Sequence, residues 1–180
     1  MAALKFRVLL DSEKNQEVFR DILIDEKSNF EELFRAITNA FNFEGNEMAS
    51  FYMSNDEWDK GHEIGLFDMR YSDDESEDLS VMKDAIIADF IEVADQKIIL
   101  VYDFLRMWIF LLELIERTDE VITAPKVLLS VGVAPPEDSR MIQEDAFHGE
   151  EDDDEMNEFD DDFEDGFDEE DLSGYEEYDY

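Results

Sequence analysis

The chain has no cysteine among its 180 residues, which removes disulfides, thiolate metal sites and cysteine nucleophiles together. Histidine is almost as scarce: only His62 and His148 occur, in unrelated stretches, and both read as exposed or loop histidines rather than as ligands or bases. Positive charge is thin, with 14 Lys and Arg against 52 Asp and Glu and a formal net charge of −38. Such a chain repels phosphate. Non-specific nucleic-acid affinity comes almost wholly from Lys and Arg, so no direct contact with DNA or RNA is expected, and an anionic membrane surface is disfavoured on the same ground. Glycine is equally uninformative for phosphate binding: Gly61, Gly65, Gly132 and Gly149 stand alone and make no glycine-rich loop. At the N-terminus Lys5 and Arg7 interrupt any apolar run that could serve as a signal peptide, and a cytoplasmic location is expected. The most apolar stretch, residues 98–115, contains Asp103, Arg106 and Glu113. Three central charges cost about 8–10 kcal/mol on an insertion scale, against about 4–7 kcal/mol returned by a dozen apolar residues. That stretch belongs in a protein core, and no membrane contact is expected.

The charge that is present is unevenly spread. Residues 150–180 hold 19 of the acidic residues and no Lys, Arg or His; residues 1–149 hold the other 33 together with all 14 basic ones, so each part carries −19. Two objects of equal charge and very different charge density share one chain. The length suits one ordinary domain and a tail, with the body taken as residues 1–140 and a disordered acidic-aromatic tail as 141–180.

Within the body, Leu4, Phe6, Val8 and Leu10 alternate with Lys5, Arg7 and Leu9, the period of a strand with one buried face. Residues 18–24 make a second strand, so the chain opens on an antiparallel hairpin. Ser28 followed by Glu31 reads as a capping box, and behind it Phe30, Leu33, Phe34, Ile37 and Phe41 fall on one helical face. Residues 48–54 and 63–69 are strand candidates, and 72–78 an exposed acidic loop. Ser80 is placed as the cap of a second helix over 81–90. Two strongly apolar runs, 97–104 and 107–116, joined at Leu105 and Arg106, form a central hairpin covered on both faces. Residues 126–133 give a last strand, and Pro135-Pro136 closes the ordered body. The expected class is α+β: a mixed, mostly antiparallel sheet with two or three helices.

The hairpin string Val101-Tyr102-Asp103-Phe104-Leu105-Arg106-Met107-Trp108 and the later Ala134-Pro135-Pro136-Glu137-Asp138 resemble the plasmid pRiA4b ORF-three-like family, also labelled transposon-passenger TnpR-type proteins. That family carries Tyr-Asp-Phe-Gly-Asp, a Trp and a His in a central hairpin, and Pro-Pro-Glu-Asp near its end. Tyr102, Asp103, Phe104, Trp108, Pro135, Pro136, Glu137 and Asp138 match; the resemblance spans residues 3–138 and implies an α+β fold in which these residues are structural. Leu105-Arg106 replaces the family's Gly-Asp, and Phe110 stands where its His would be, so the chain is a divergent member with an acidic C-terminal tail. A serine recombinase would need a nucleophilic Ser among clustered arginines and a basic arm, and this chain has neither.

Carboxylates are so abundant that no general acid and base pair can be singled out. An EF-hand reading of the tail fails: with Gly166 at the sixth loop position, Phe163 and Leu172 occupy positions that require oxygen ligands. Neither a metal site nor a cofactor is expected. The informative feature of the tail is aromatic. Met156, Phe159, Phe163 and Phe167 are spaced 3, 4 and 4 apart among acidic residues, and Tyr175 and Tyr178 continue the pattern. Like charges at this spacing oppose an isolated helix, which favours a solvated tail; the apolar spacing favours a linear element that folds on a partner's basic-rimmed groove. The sequence therefore points to a monomeric, non-enzymatic module whose tail engages basic protein surfaces. Two alternatives are a nucleic-acid mimic competing for a DNA-binding protein and a metal-dependent enzyme using carboxylates.

Overall fold

In a computed structural model, residues 2–12, 16–68 and 80–142 are described. They lie within the unit Met1–Gln143. The chain opens on β1 (Ala3–Leu10) and β2 (Phe19–Asp25), which pair antiparallel with Phe6 opposite Ile22 and Val8 opposite Arg20. The alternation read in β1 is realised: Leu4, Phe6, Val8 and Leu10 are buried. A helix, α1 (Phe30–Ala40), then crosses to β3 (Ala49–Ser54), β4 (Glu63–Gly65) and β5 (Ser80–Val81). The central hairpin is β6 (Lys97–Tyr102) and β7 (Trp108–Thr118), and β8 (Lys126–Val131) is the last strand. All eight strands form one sheet in the order β5-β4-β3-β6-β7-β1-β2-β8. Every pairing is antiparallel except β4 with β5.

The expectation of two or three helices is overturned. Among the described residues there is one α-helix of 11 residues, with two short 3₁₀ turns at Ile87–Phe90 and Glu137–Ser139, and the fold is mostly β. The helix expected over 81–90 fails because the start and the middle of that stretch are drawn into other pairings. Val81 sits in β5 opposite Gly65, and Ile86 forms a bridge with Asn29. The chain between them turns on hydrogen bonds from the Asp84 and Ala85 amides to the Val81 carbonyl. Met82, Ala85 and Ile87 still reach the core without a helix. The capping box is real but lies one residue later than Ser28–Glu31: Asn29 Oδ1 accepts from the Glu32 amide at 2.9 Å and Glu32 returns the contact to the Asn29 amide at 3.0 Å. Ser28 is occupied elsewhere, its amide on Asp25 and its carbonyl accepting from Ile87. The hairpin connection is also longer than two residues. Tyr102 pairs with Trp108, leaving a five-residue loop, 103–107, between them.

The hairpin is central, as its composition requires. Lys97 aside, β6 is buried throughout, whereas β7 alternates buried and half-buried side chains until Leu114 and is exposed beyond it, so cover on its second face is only partial. The first face is closed by α1 and its C-cap: Phe30 and Phe34 of the helix and Phe41 just after it meet Phe51, Tyr102 and Phe110 at ring separations of 5.2, 5.8 and 5.0 Å. Among these rings lies a charged residue that the sequence pattern did not expose. Arg20 is 6% exposed. Its guanidinium lies over the Phe41 ring and donates to the carbonyls of Ala40, Phe19 and Val131 at 3.2, 2.8 and 2.9 Å. A cation at the last turn of α1 answers the Ala40 carbonyl, one of those that the helix leaves unpaired, and the same group ties that turn to β8. Replacing Arg20 with Leu leaves those acceptors without their donor and is expected to lower unfolding free energy by about 2–4 kcal/mol, measured as a lower urea midpoint at unchanged slope.

Candidate functional site

The two motif strings, some thirty positions apart in sequence, meet at the loop end of the central hairpin. Tyr102, the last residue of β6, is fully buried. Its hydroxyl makes a short hydrogen bond to Glu137 Oε1 and accepts from the Gly45 amide at 3.1 Å. Glu137 Oε2 accepts from the Glu44 amide at 2.8 Å, and the Glu137 carbonyl accepts from Trp108 Nε1 at 3.0 Å. One glutamate therefore fastens three separate segments: the β6–β7 hairpin, the loop after α1, and the chain following Pro135-Pro136. Phe43 fills the space beneath, 5.2 Å from the Trp108 ring and 5.9 Å from Tyr102.

The loop between the strands is shaped by Asp103. Its side chain is nearly buried and its backbone is left-handed (φ 59°), as is that of Met107 (φ 57°). Asp103 Oδ1 accepts from the amides of Leu105 and Arg106 at 3.0 and 3.2 Å. This is an Asx-type turn, and Asp is one of the few residues other than Gly that tolerate the left-handed region. Arg106, which stands where the motif has Asp, places Nε 3.5 Å from Asp103 and donates to the Arg140 carbonyl at 2.6 Å. Arg140 in turn lies over the Trp108 ring and donates to the Met107 carbonyl at 2.8 Å. The substitution that removes the motif's Gly-Asp thus supplies a second fastening for the same segment. Phe104 and Pro135 are half-buried beside this network, and Pro136 and Asp138 are exposed.

The chemical character of the cluster follows from its partners. Burial, and then the hydrogen bond to Glu137, push the Tyr102 phenol well above its ordinary value. The Glu137 carboxylate accepts from the Tyr102 hydroxyl and the Glu44 amide, and that hydroxyl is already shared with the Gly45 amide. This is a clasp, with no open position for a substrate between them. Elsewhere, His62 stacks on Phe90 and places Nε2 2.7 Å from Ser80 Oγ, beside an exposed cleft of about 560 Å³. Among the described residues no three His, Asp or Glu side chains are grouped to hold a metal ion. No described helix is long and apolar enough to cross a membrane. The expected acidic loop at 72–78 and the tail candidates Met156, Phe159, Phe163, Phe167, Tyr175 and Tyr178 lie outside the described residues.

The model of the family described as plasmid pRiA4b ORF-3-like protein matches residues 2–175. The chain belongs to that family. A crystal structure of a protein of unknown function from Methanosarcina mazei Go1 is similar at 20% identity with a TM-score of 0.64, covering 78% of this chain and 75% of that one; at this identity the likeness concerns the fold alone. No curated protein matches the chain. The family match explains why Tyr102, Trp108 and Glu137 could be singled out in sequence. The Glu44 and Gly45 amides and Arg140 could not, because a backbone donor and a ring-stacked cation leave no pattern in a single chain.

Replacing Glu137 with Ala withdraws the acceptor from Tyr102 and from the Glu44 amide, and a loss of about 2 kcal/mol in unfolding free energy is expected, since bonds to a charged group are worth about 1.5–3 kcal/mol each and water recovers part at this half-buried position. Tyr102 also gives a pH signature. Its folded-state value is raised above the ordinary 10.0, so the native state holds the proton longer than the unfolded chain. The associated stability is fully present below about pH 10 and declines as pH rises above it. Replacing Tyr102 with Phe is expected to lower stability at pH 7 and to flatten the decline between about pH 10 and 11, read by urea titrations across that range.

Proposed function

We propose that this protein is a non-enzymatic, cytoplasmic interaction module whose C-terminal tail engages basic protein surfaces. The observation that carries the reading is the distribution of charge: 19 carboxylates in residues 150–180, without one cation, interrupted by Met156, Phe159, Phe163 and Phe167 at intervals of 3, 4 and 4. A uniform polyacid would bind cations with little selectivity. Aromatic anchors at these intervals add a directional apolar contact, and buried aromatic side chains dominate the energetics of recognition segments. The clasp supports the reading by fixing the chain as far as Arg140 on the rim of the hairpin, so that the segment leading into the tail starts from a defined point. With the tail carrying half of the net charge, encounter with a cationic partner is steered electrostatically, and the association is salt-sensitive.

The test is a comparison of three chains by affinity purification from native cells: the full chain, a deletion of 150–180, and the full chain with Phe159, Phe163 and Phe167 replaced by Ser. The last keeps every charge. Both altered chains are expected to lose the partner, with affinity for the purified partner falling more than about tenfold in the Ser variant. Partners that survive the Phe changes but not the deletion mark the tail as a simple polyacid. An unchanged partner set in the deletion sinks the role of the tail.

A further inference from the structure

The strand β8 closes one end of the sheet. Among the described residues nothing pairs with its outer side. Edge strands are ordinarily blunted by charge, proline, bulges or brevity, and β8 has such devices at one end and at its centre: Pro125 and Lys126 precede its apolar run, and the pairing with β2 slips where Asp21 faces Leu129 and Ile22 faces Val127. Around that slip Val127, Leu128 and Leu129 are nonetheless 45%, 49% and 44% exposed. Three consecutive exposed apolar residues on an unpaired edge are a liability in a protein that uses them for nothing.

The edge also has a wall. The side of α1 stands next to β8 across a cleft of about 540 Å³ whose floor and flank are Ile22, Val127, Pro125, Ala36 and Ala40. Small side chains on the helix leave room for side chains entering from the edge. The strand is rigidly placed: Arg20 holds the Val131 carbonyl, and Gly132, at φ +78°, lets the chain pass so near the segment entering β2 that a Cβ there would lie 2.4 Å from the Glu17 carbonyl. A strand edge beside a helix groove is the geometry in which an extended peptide adds to a sheet and seats alternate side chains in the groove.

Charge chooses the occupant. The cations that line the cleft are each paired, Arg35 lying 3.8 Å from Glu31 and Lys126 against Glu120, while Glu32, whose Oε2 accepts from the Asn29 amide, adds a further carboxylate to the wall. A second copy brings another −38, so pairing of two β8 edges is opposed by the whole-molecule field. We propose that β8 and the groove beside α1 receive an extended segment of a basic protein, alternating apolar and Lys or Arg residues, by strand addition. This rests on the reading of the protein as a module for basic partners and assigns the body its own share of that contact.

The probe is a synthetic decapeptide alternating Lys and Val, offered to the full chain at physiological salt, with amide hydrogen exchange as the readout. Exchange at Val127–Val131 is expected to slow by about tenfold or more, and the same peptide with one central Val replaced by Pro is expected to lose that protection, because Pro cannot donate to a ladder. Replacing Leu128 and Leu129 with Glu is expected to abolish the protection while leaving the exchange of β6 amides unchanged, which shows the fold to be intact. If the peptide binds and β8 exchange does not change, the edge proposal is overturned while the tail remains a reader of basic surfaces. Protection of β8 that instead appears with protein concentration alone assigns the edge to a second copy and overturns it too. Absence of any binding to the full chain removes both readings.

Discussion

One helix has to cover one face of an eight-stranded sheet, and much of the molecule follows from that mismatch. At 1.5 Å per residue, α1 is about 16 Å long, whereas eight strands spaced about 4.8 Å apart are about 34 Å across. The uncovered area has to be closed by large side chains and by loops. This is where the aromatic residues go. Phe30, Phe34 and Phe41 extend the reach of the helix, Phe43 continues it beyond the C-terminal turn, and the irregular stretch holding Met82, Ala85, Ile87 and Phe90 covers the face near β3 and β4. Burying each such ring is worth about 2–3 kcal/mol, so a fold with little helix still gains a continuous core.

The same mismatch explains the two places that carry functional argument. At the loop end of the hairpin the helix has already ended, and the Glu137 clasp with Trp108 and Tyr102 closes the core in its place. At β8, among the described residues, no further element does so. Arg20 reaches from β2 to both the helix end and β8 because a buried sheet margin beneath a short helix has carbonyls to satisfy and no further element to satisfy them. The strand beyond is held by its backbone and left apolar on its surface.

Much of this was legible in sequence and some was not, for reasons specific to each element. The period of β1 and the stripe of α1 are local signals, and both are found where the spacing puts them. The expected helix over 81–90 has a cap candidate in Ser80, but Val81 and Ile86 are claimed by pairings with Gly65 and Asn29, which lie far away in the chain. The capping box moved by one residue for the same cause, since Ser28 was already bonded to Asp25 and Ile87. The motif residues could be named from their strings, yet that Glu137 links Tyr102, Trp108 and the Glu44 amide depends on three segments arriving together.

By itself, the sequence determined what is carried by composition and short-range spacing: the division of −38 into a sparse body and a dense tail, the opening hairpin, the single long helical stripe, and the family to which the chain is similar. These depend on residues near one another or on sums over residues, neither of which requires a fold. Tertiary structure decided which strand lies at the margin, that Arg20 is buried, that Arg106 and Arg140 reinforce the clasp, and that an apolar edge stands beside an open groove. Strand order and the identity of an unpaired edge are properties of long-range hydrogen bonding, and no local period in a chain records them.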